Sequence, residues 1–158
     1  MKINELIQQI ENTYNKHFPL SKCFVKLSTN LYSSIFIDCH LAGDKTELYN
    51  GYWENDIFRI RFSIDTDKGA FKNINEMSEV PENLRMEIDS KSYLLKPANP
   101  HMAFDRRNLS FRKTKGNAKK IVATLDKYFA KLKEELIKDL QAGLIHKNHI
   151  NLLTEKLA

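Results

Sequence analysis

Between Ala118 and Leu136 the apolar residues Ala118, Ile121, Val122, Leu125, Phe129, Leu132 and Leu136 recur at spacings of three and four, which places them along one side of an α-helix. Asn117 stands where an N-cap belongs and Gly143 where a helix stops, so the pattern predicts a helix over 117–142, about 39 Å long at 1.5 Å per residue. A stripe of that length must be covered. The rest of the chain therefore has to supply an apolar surface long enough to receive it.

Two segments offer that surface. Ile3, Leu6, Ile7, Ile10 and Tyr14 predict a first amphipathic helix over 3–16, ended near Pro19. After it the period changes to two. Cys23, Val25 and Leu27 alternate with Lys22, Phe24 and Lys26, and Leu31, Ser33, Ile35, Ile37, Cys39 and Leu41 share one side of a longer strand. Gly43-Asp44 breaks the pattern, Glu47 to Trp53 reads as extended, and Ile57 to Ile64 is the clearest strand. There Phe58, Ile60, Phe62 and Ile64 face inward and Arg59, Arg61 and Ser63 outward. The alternation Leu84, Met86, Ile88 and the run Tyr93-Leu94-Leu95 predict two further short strands, with Pro97 and Pro100 forcing a loop as far as Asn108. Leu109 to Arg112 is expected as a short strand and Lys113 to Gly116 as a turn into the long helix.

The expected fold is therefore α+β: an antiparallel β-meander with an N-terminal helix and the long C-terminal helix packed on one face. Residues 1–142 are expected as one domain. Residues 143–158, with a last helix over Leu144 to Leu157, are expected as a short helical extension.

Charge is the feature that points to function. The chain has a net charge of +5. Residues 1–105 are net negative by 3, residues 121–158 are net positive by 1, and the 15 residues 106–120 hold 7 basic groups and no acidic one. These groups are Arg106, Arg107, Arg112, Lys113, Lys115, Lys119 and Lys120. An excess gathered in one stretch points to an anion docking at one place. The stretch also surrounds the start of the long helix, whose unpaired N–H groups and partial positive charge already favour anions. Each added cation there is unfavourable by about 0.3–1 kcal/mol at low salt, and a bound phosphate reverses that sign. Arg59 and Arg61, beside Tyr49, Tyr52 and Trp53, form a secondary candidate: a sheet-borne platform for single strands.

Catalytic chemistry is not expected. Lys113-Thr114-Lys115-Gly116 lacks the order of a phosphate-binding P-loop. Asp65-Thr66-Asp67-Lys68-Gly69 begins like a calcium loop with Glu76 at its twelfth position, but Ala70 occupies the sixth, where glycine is required. His146 and His149 would share a helix face, with Glu155 as the one candidate for a third metal ligand, and a structural or surface role is expected for them. His101 and Asp105, next to Arg106, Arg107 and Asn108, are the one cluster in which a nuclease-like site could be sought. No metal or cofactor is expected. Cys23 and Cys39 read as reduced core residues, and with neither a membrane-length apolar run nor a signal-peptide pattern the expected location is the cytoplasm.

The pairing of Gly51-Tyr52 and Phe58-Arg59-Ile60-Arg61-Phe62 with Leu109-Ser110-Phe111-Arg112-Lys113 and a helix bearing Ile121-Val122, Leu125 and Tyr128-Phe129 resembles a layout that recurs in small phage- and plasmid-encoded proteins. The resemblance spans about half the chain. It implies an accessory protein of a mobile element and assigns no functional residue. Two functions follow as expectations. One is a non-catalytic protein binding DNA or RNA phosphates through 106–120. The other is an inhibitor or adaptor, of the anti-CRISPR or anti-restriction kind, docking its basic patch on an acidic host-protein surface, or its acidic first part on a basic nucleic-acid channel, with the long helix and an exposed Tyr128 as a contact face.

Overall fold

The computed structural model describes residues 1–28, 34–40, 58–66 and 72–158. Helix α1 covers Ile3–His17. The strands β1 (Lys22–Ser28), β2 (Ser34–His40), β3 (Phe58–Thr66) and β4 (Leu84–Leu95) follow, each antiparallel to the one before it. β5 (Asp105–Asn108) and β6 (Thr114–Gly116) share the far edge of β4. Helix α2 spans Ala118–Gln141; a 3₁₀ turn at Lys147–His149 leads into α3, Ile150–Lys156. The architecture is α+β, with both main helices on one face of the sheet.

The period-two sets meet in register. Val25 and Leu27 on β1 lie opposite Ile37 and Ile35, which lie opposite Phe62 and Ile64 on β3. Ile35, Ile37, Ile60, Phe62 and Ile64 are fully buried, together with Ile3, Leu6, Ile10 and Tyr14 of α1 and Ile121, Leu125, Phe129 and Leu136 of α2. The two stripes thus close over the inward side of the sheet, as their periods require. Tyr14 meets Phe129 edge-on at 5.2 Å, and Asp126 of α2 accepts from Lys16 at 3.3 Å and lies 2.6 Å from His17 Nε2. Leu31, Ser33, Leu41 and the stretch from Glu47 to Trp53 lie outside the described residues.

Four expectations are corrected. The two short segments around Met86 and Tyr93 are one strand of 12 residues. Its phase changes midway: Arg61 pairs with Ser90 but Phe62 with Ile88, leaving Asp89 over as a bulge. Even-numbered Leu84 and Met86 face the core before it and odd-numbered Tyr93 after it, so the alternation breaks while the strand continues. The proline-bounded segment ends at residue 104, because Asp105–Asn108 pairs with Leu95 to Ser92. Leu109 to Arg112 is not a strand; the strand is Thr114–Gly116, paired with Met86 to Leu84.

The fourth concerns the C-terminus. α2 ends in a Schellman motif: Gly143, at φ +69°, donates to Leu140 O at 3.1 Å, and Leu144 donates to Asp139 O at 2.9 Å. The chain then returns along β4, through Lys96 N–H to Leu144 O at 2.8 Å and a bridge between Leu95 and Ile145. Only then does α3 begin, so Leu144 to Leu157 is not one helix. Residues 143–158 contribute Ile145 and Leu153 to the common core.

Candidate nucleic-acid interface

The basic stretch is divided by the structure among three surroundings. Its first arginines lie on β5. Arg107 reaches α2 and makes a two-pronged contact with Asp139, Nε to Oδ2 at 3.0 Å and a terminal nitrogen to Oδ1 at 2.9 Å. The Tyr93 hydroxyl donates to the same carboxylate. Asp139 is 8 % exposed and Tyr93 fully buried, so this cluster clamps β4, β5 and α2 together. Burial, and then the Asp139 carboxylate, push the Tyr93 hydroxyl far above its ordinary value; the carboxylate likewise raises Arg107. Arg106 stands exposed, its guanidinium 5.2 Å from the Phe104 ring centre.

Lys113 turns to the other face of the sheet. Its ammonium lies 2.6 Å from Glu87, which is also 3.5 Å from Arg85, and Arg85 holds both oxygens of Asp65 at 3.0 Å. The Asp65 carboxylate, first ligand of the calcium-loop pattern, is thereby engaged by a guanidinium; Asp67, Gly69 and Ala70 lie outside the described residues. The Lys113 contact holds the Glu87 carboxyl below its usual range. Arg107 and Lys113 thus carry carboxylates of their own.

Arg112, Lys115, Lys119 and Lys120 are exposed and make no ion pair with another described residue. Asn117 caps α2 by accepting from Lys120 N–H at 3.0 Å, and no acidic residue lies in the first turn. Gly116, at φ +154°, lets the Lys120 stem lie against the backbone: a β-carbon there would be 2.6 Å from Lys120 Cδ. Beyond Lys120, at helical spacing, come Thr124, Lys127, Tyr128 and Lys131. With Ser110, Phe111, Arg112 and Thr114 these last four line an open groove of about 430 Å³. Three cations and no carboxylate are among its lining residues. Lys127 and Lys131 were not visible as site residues in the charge count, since that helical stretch also holds Asp126, Glu134 and Glu135. Their signal is the spacing from Thr124 to Lys131, beside the apolar stripe.

Tyr128, expected as exposed, is half-buried. Its ring meets Phe111 at 5.2 Å and Phe62 at 5.5 Å, both edge-on, because the groove floor is continuous with the core. The remaining candidates are dispersed. Arg59 and Arg61 lie on β3 opposite His40 and Asp38 of β2, while Tyr49, Tyr52 and Trp53 are outside the described residues. Asp105 accepts from Arg106 N–H at 2.8 Å, and His101 N–H donates to the Asn99 side chain at 3.0 Å. His146 caps the 3₁₀ turn by accepting from Asn148 N–H at 3.2 Å, with its ring centre 5.5 Å from that of buried His149.

Comparison with family models, with curated proteins and with solved structures finds no match. Among the described residues no helix is long and apolar enough to cross a membrane.

Proposed function

We propose that this chain is a non-catalytic nucleic-acid-binding accessory protein of a mobile element, acting in the cytoplasm and contacting phosphates through the surface around the start of α2. The observation that carries this reading is the run of exposed cations Arg112, Lys115, Lys119 and Lys120, without carboxylate partners among the described residues and continued along α2 by Lys127 and Lys131. Phosphates would relieve the repulsion among these groups and bring counterion release as a driving force. Arg107 and Lys113 contribute less than their sequence position suggests, since each already neutralises a carboxylate.

The test is fluorescence anisotropy with labelled single- and double-stranded oligonucleotides at about 50 and 200 mM salt, between which a protein contacting 6–10 phosphates loses about 10³–10⁵ in affinity. Joint reversal of Lys115, Lys119 and Lys120 to Glu is expected to abolish binding and leave the circular dichroism spectrum unchanged. Absence of binding at the lower salt overturns the proposal and favours a protein partner.

A further inference from the structure

We propose that the groove between residues 110–114 and α2 seats an unpaired nucleobase, so that the nucleic acid bound is single-stranded. This inference rests on the nucleic-acid reading above and specifies its ligand.

The groove combines two features that a phosphate-only surface does not need. The first is an aromatic floor. Phe111 and Tyr128 line it, half-buried, and each also packs edge-on against the fully buried Phe62 at 5.5 Å. Phe62 in turn meets Phe129 at 6.0 Å, and Phe129 meets Tyr14. The floor is therefore the outer end of a chain of rings running through the core, and its two half-buried members are already held in place. A base arriving there can stack on one of these two rings, which stand at 88° to each other, and the ring it meets has already been ordered by folding. Stacking of this kind accepts any base.

The second feature is the rim. Arg112 stands on one side and Lys127 and Lys131, one helical turn apart, on the other. A base on the floor would leave its flanking phosphates beside these cations. The volume of about 430 Å³ lies at the small end of the range for specific ligand pockets, suited to one base with its sugar rather than to a peptide or a helix. A duplex offers no such base, because its ring faces are covered by their neighbours in the stack. It would meet the rim cations only.

Binding of three labelled probes at low salt tests this: oligo(dT) of about twelve nucleotides, an abasic sugar-phosphate strand of the same length, and a duplex of that length. Oligo(dT) is expected to bind about tenfold or more tighter than the other two, in line with the worth of one or more stacked bases. Phe111→Leu keeps an apolar side chain without a ring; it is expected to lower oligo(dT) to the affinity of the abasic strand and leave the abasic strand unchanged. Abasic or duplex probes binding as tightly as oligo(dT) would overturn the base seat while leaving phosphate binding in place. Failure of all three probes to bind would overturn both. If Phe111→Leu does not fold, the three-probe comparison on the native protein decides by itself.

Discussion

Arg107 and Arg112 are five residues apart in a stretch without an acidic group, yet they meet opposite surroundings. Arg107 is fixed between strand and helix by Asp139 and stands next to the buried Tyr93 hydroxyl. Arg112 stands at the edge of an open groove facing Lys127 and Lys131. The difference does not originate in the arginines. It comes from the carboxylates that the fold brings to one and not to the other, from a helix position 32 residues further on. A cluster of like charges in sequence is therefore two populations in space: one that holds the fold and one that remains available to a ligand.

The largest effect expected from this contrast is on stability. Asp139→Ala leaves the buried Tyr93 hydroxyl without its acceptor and Arg107 without its carboxylate. Because the Arg107 side chain is 42 % exposed and can rehydrate, the expected loss is about 2–3 kcal/mol rather than the larger cost of opening a fully buried pair. The joint replacement of Lys127 and Lys131 by Gln should stay within about 0.5 kcal/mol of the native protein. Urea denaturation of both variants measures the contrast; equal midpoints would remove it.

Two smaller effects probe the ends of α2. Gly143→Ala meets no atom within 4 Å but must hold φ +69°, which costs a residue with a β-carbon about 1–2 kcal/mol. Asn117→Ala removes the cap on Lys120 N–H and is expected to cost about 1 kcal/mol. It would also leave more N–H character at the basic end of the helix, so thermal melts with and without added phosphate should show a larger stabilising response for this variant.

The smallest expected effect is with pH. Glu87 is held below its usual range by the Lys113 ammonium, and Asp126 by His17 and then Lys16. A carboxyl whose value is lower folded than unfolded adds stability that is complete above the unfolded value, near pH 4, and is lost as pH falls through the folded one. Both groups are about two-fifths exposed, so solvent screens their partners. The urea midpoint should decline modestly below about pH 4. Lys113→Met should flatten the Glu87 part of that decline; an unchanged profile would show that the contact holds no stability.

Much of the fold was legible because each element repeats its own period. The 3.6-residue stripes of α1 and α2 and the alternation in β1 to β3 are local properties, and Asn117 and Gly143 mark the ends of α2 by chemistry confined to a few neighbouring residues. Legibility failed where a distant partner decided the outcome. β4 was divided in two by the phase change at Asp89, and β5 and β6 are short segments that pair only because the far edge of β4 is there to receive them. The same holds for the site. The basic stretch could be counted along the chain, but Lys127 and Lys131 could not be assigned to it, nor Arg107 and Lys113 set apart.

By itself, then, the sequence determined where α1 and α2 lie, which side of each is apolar, and that a surplus of positive charge surrounds the start of α2. Those are consequences of covalent neighbours and of turns that bring residues three and four apart onto one face. Which cations keep their charge for a ligand, and whether an aromatic floor lies between them, was decided only by tertiary structure. Charge neutralisation and ring packing act over a few ångströms of space: Asp139 and Phe62 reach those distances when the sheet and α2 close on each other, and Glu87 when β6 pairs with β4.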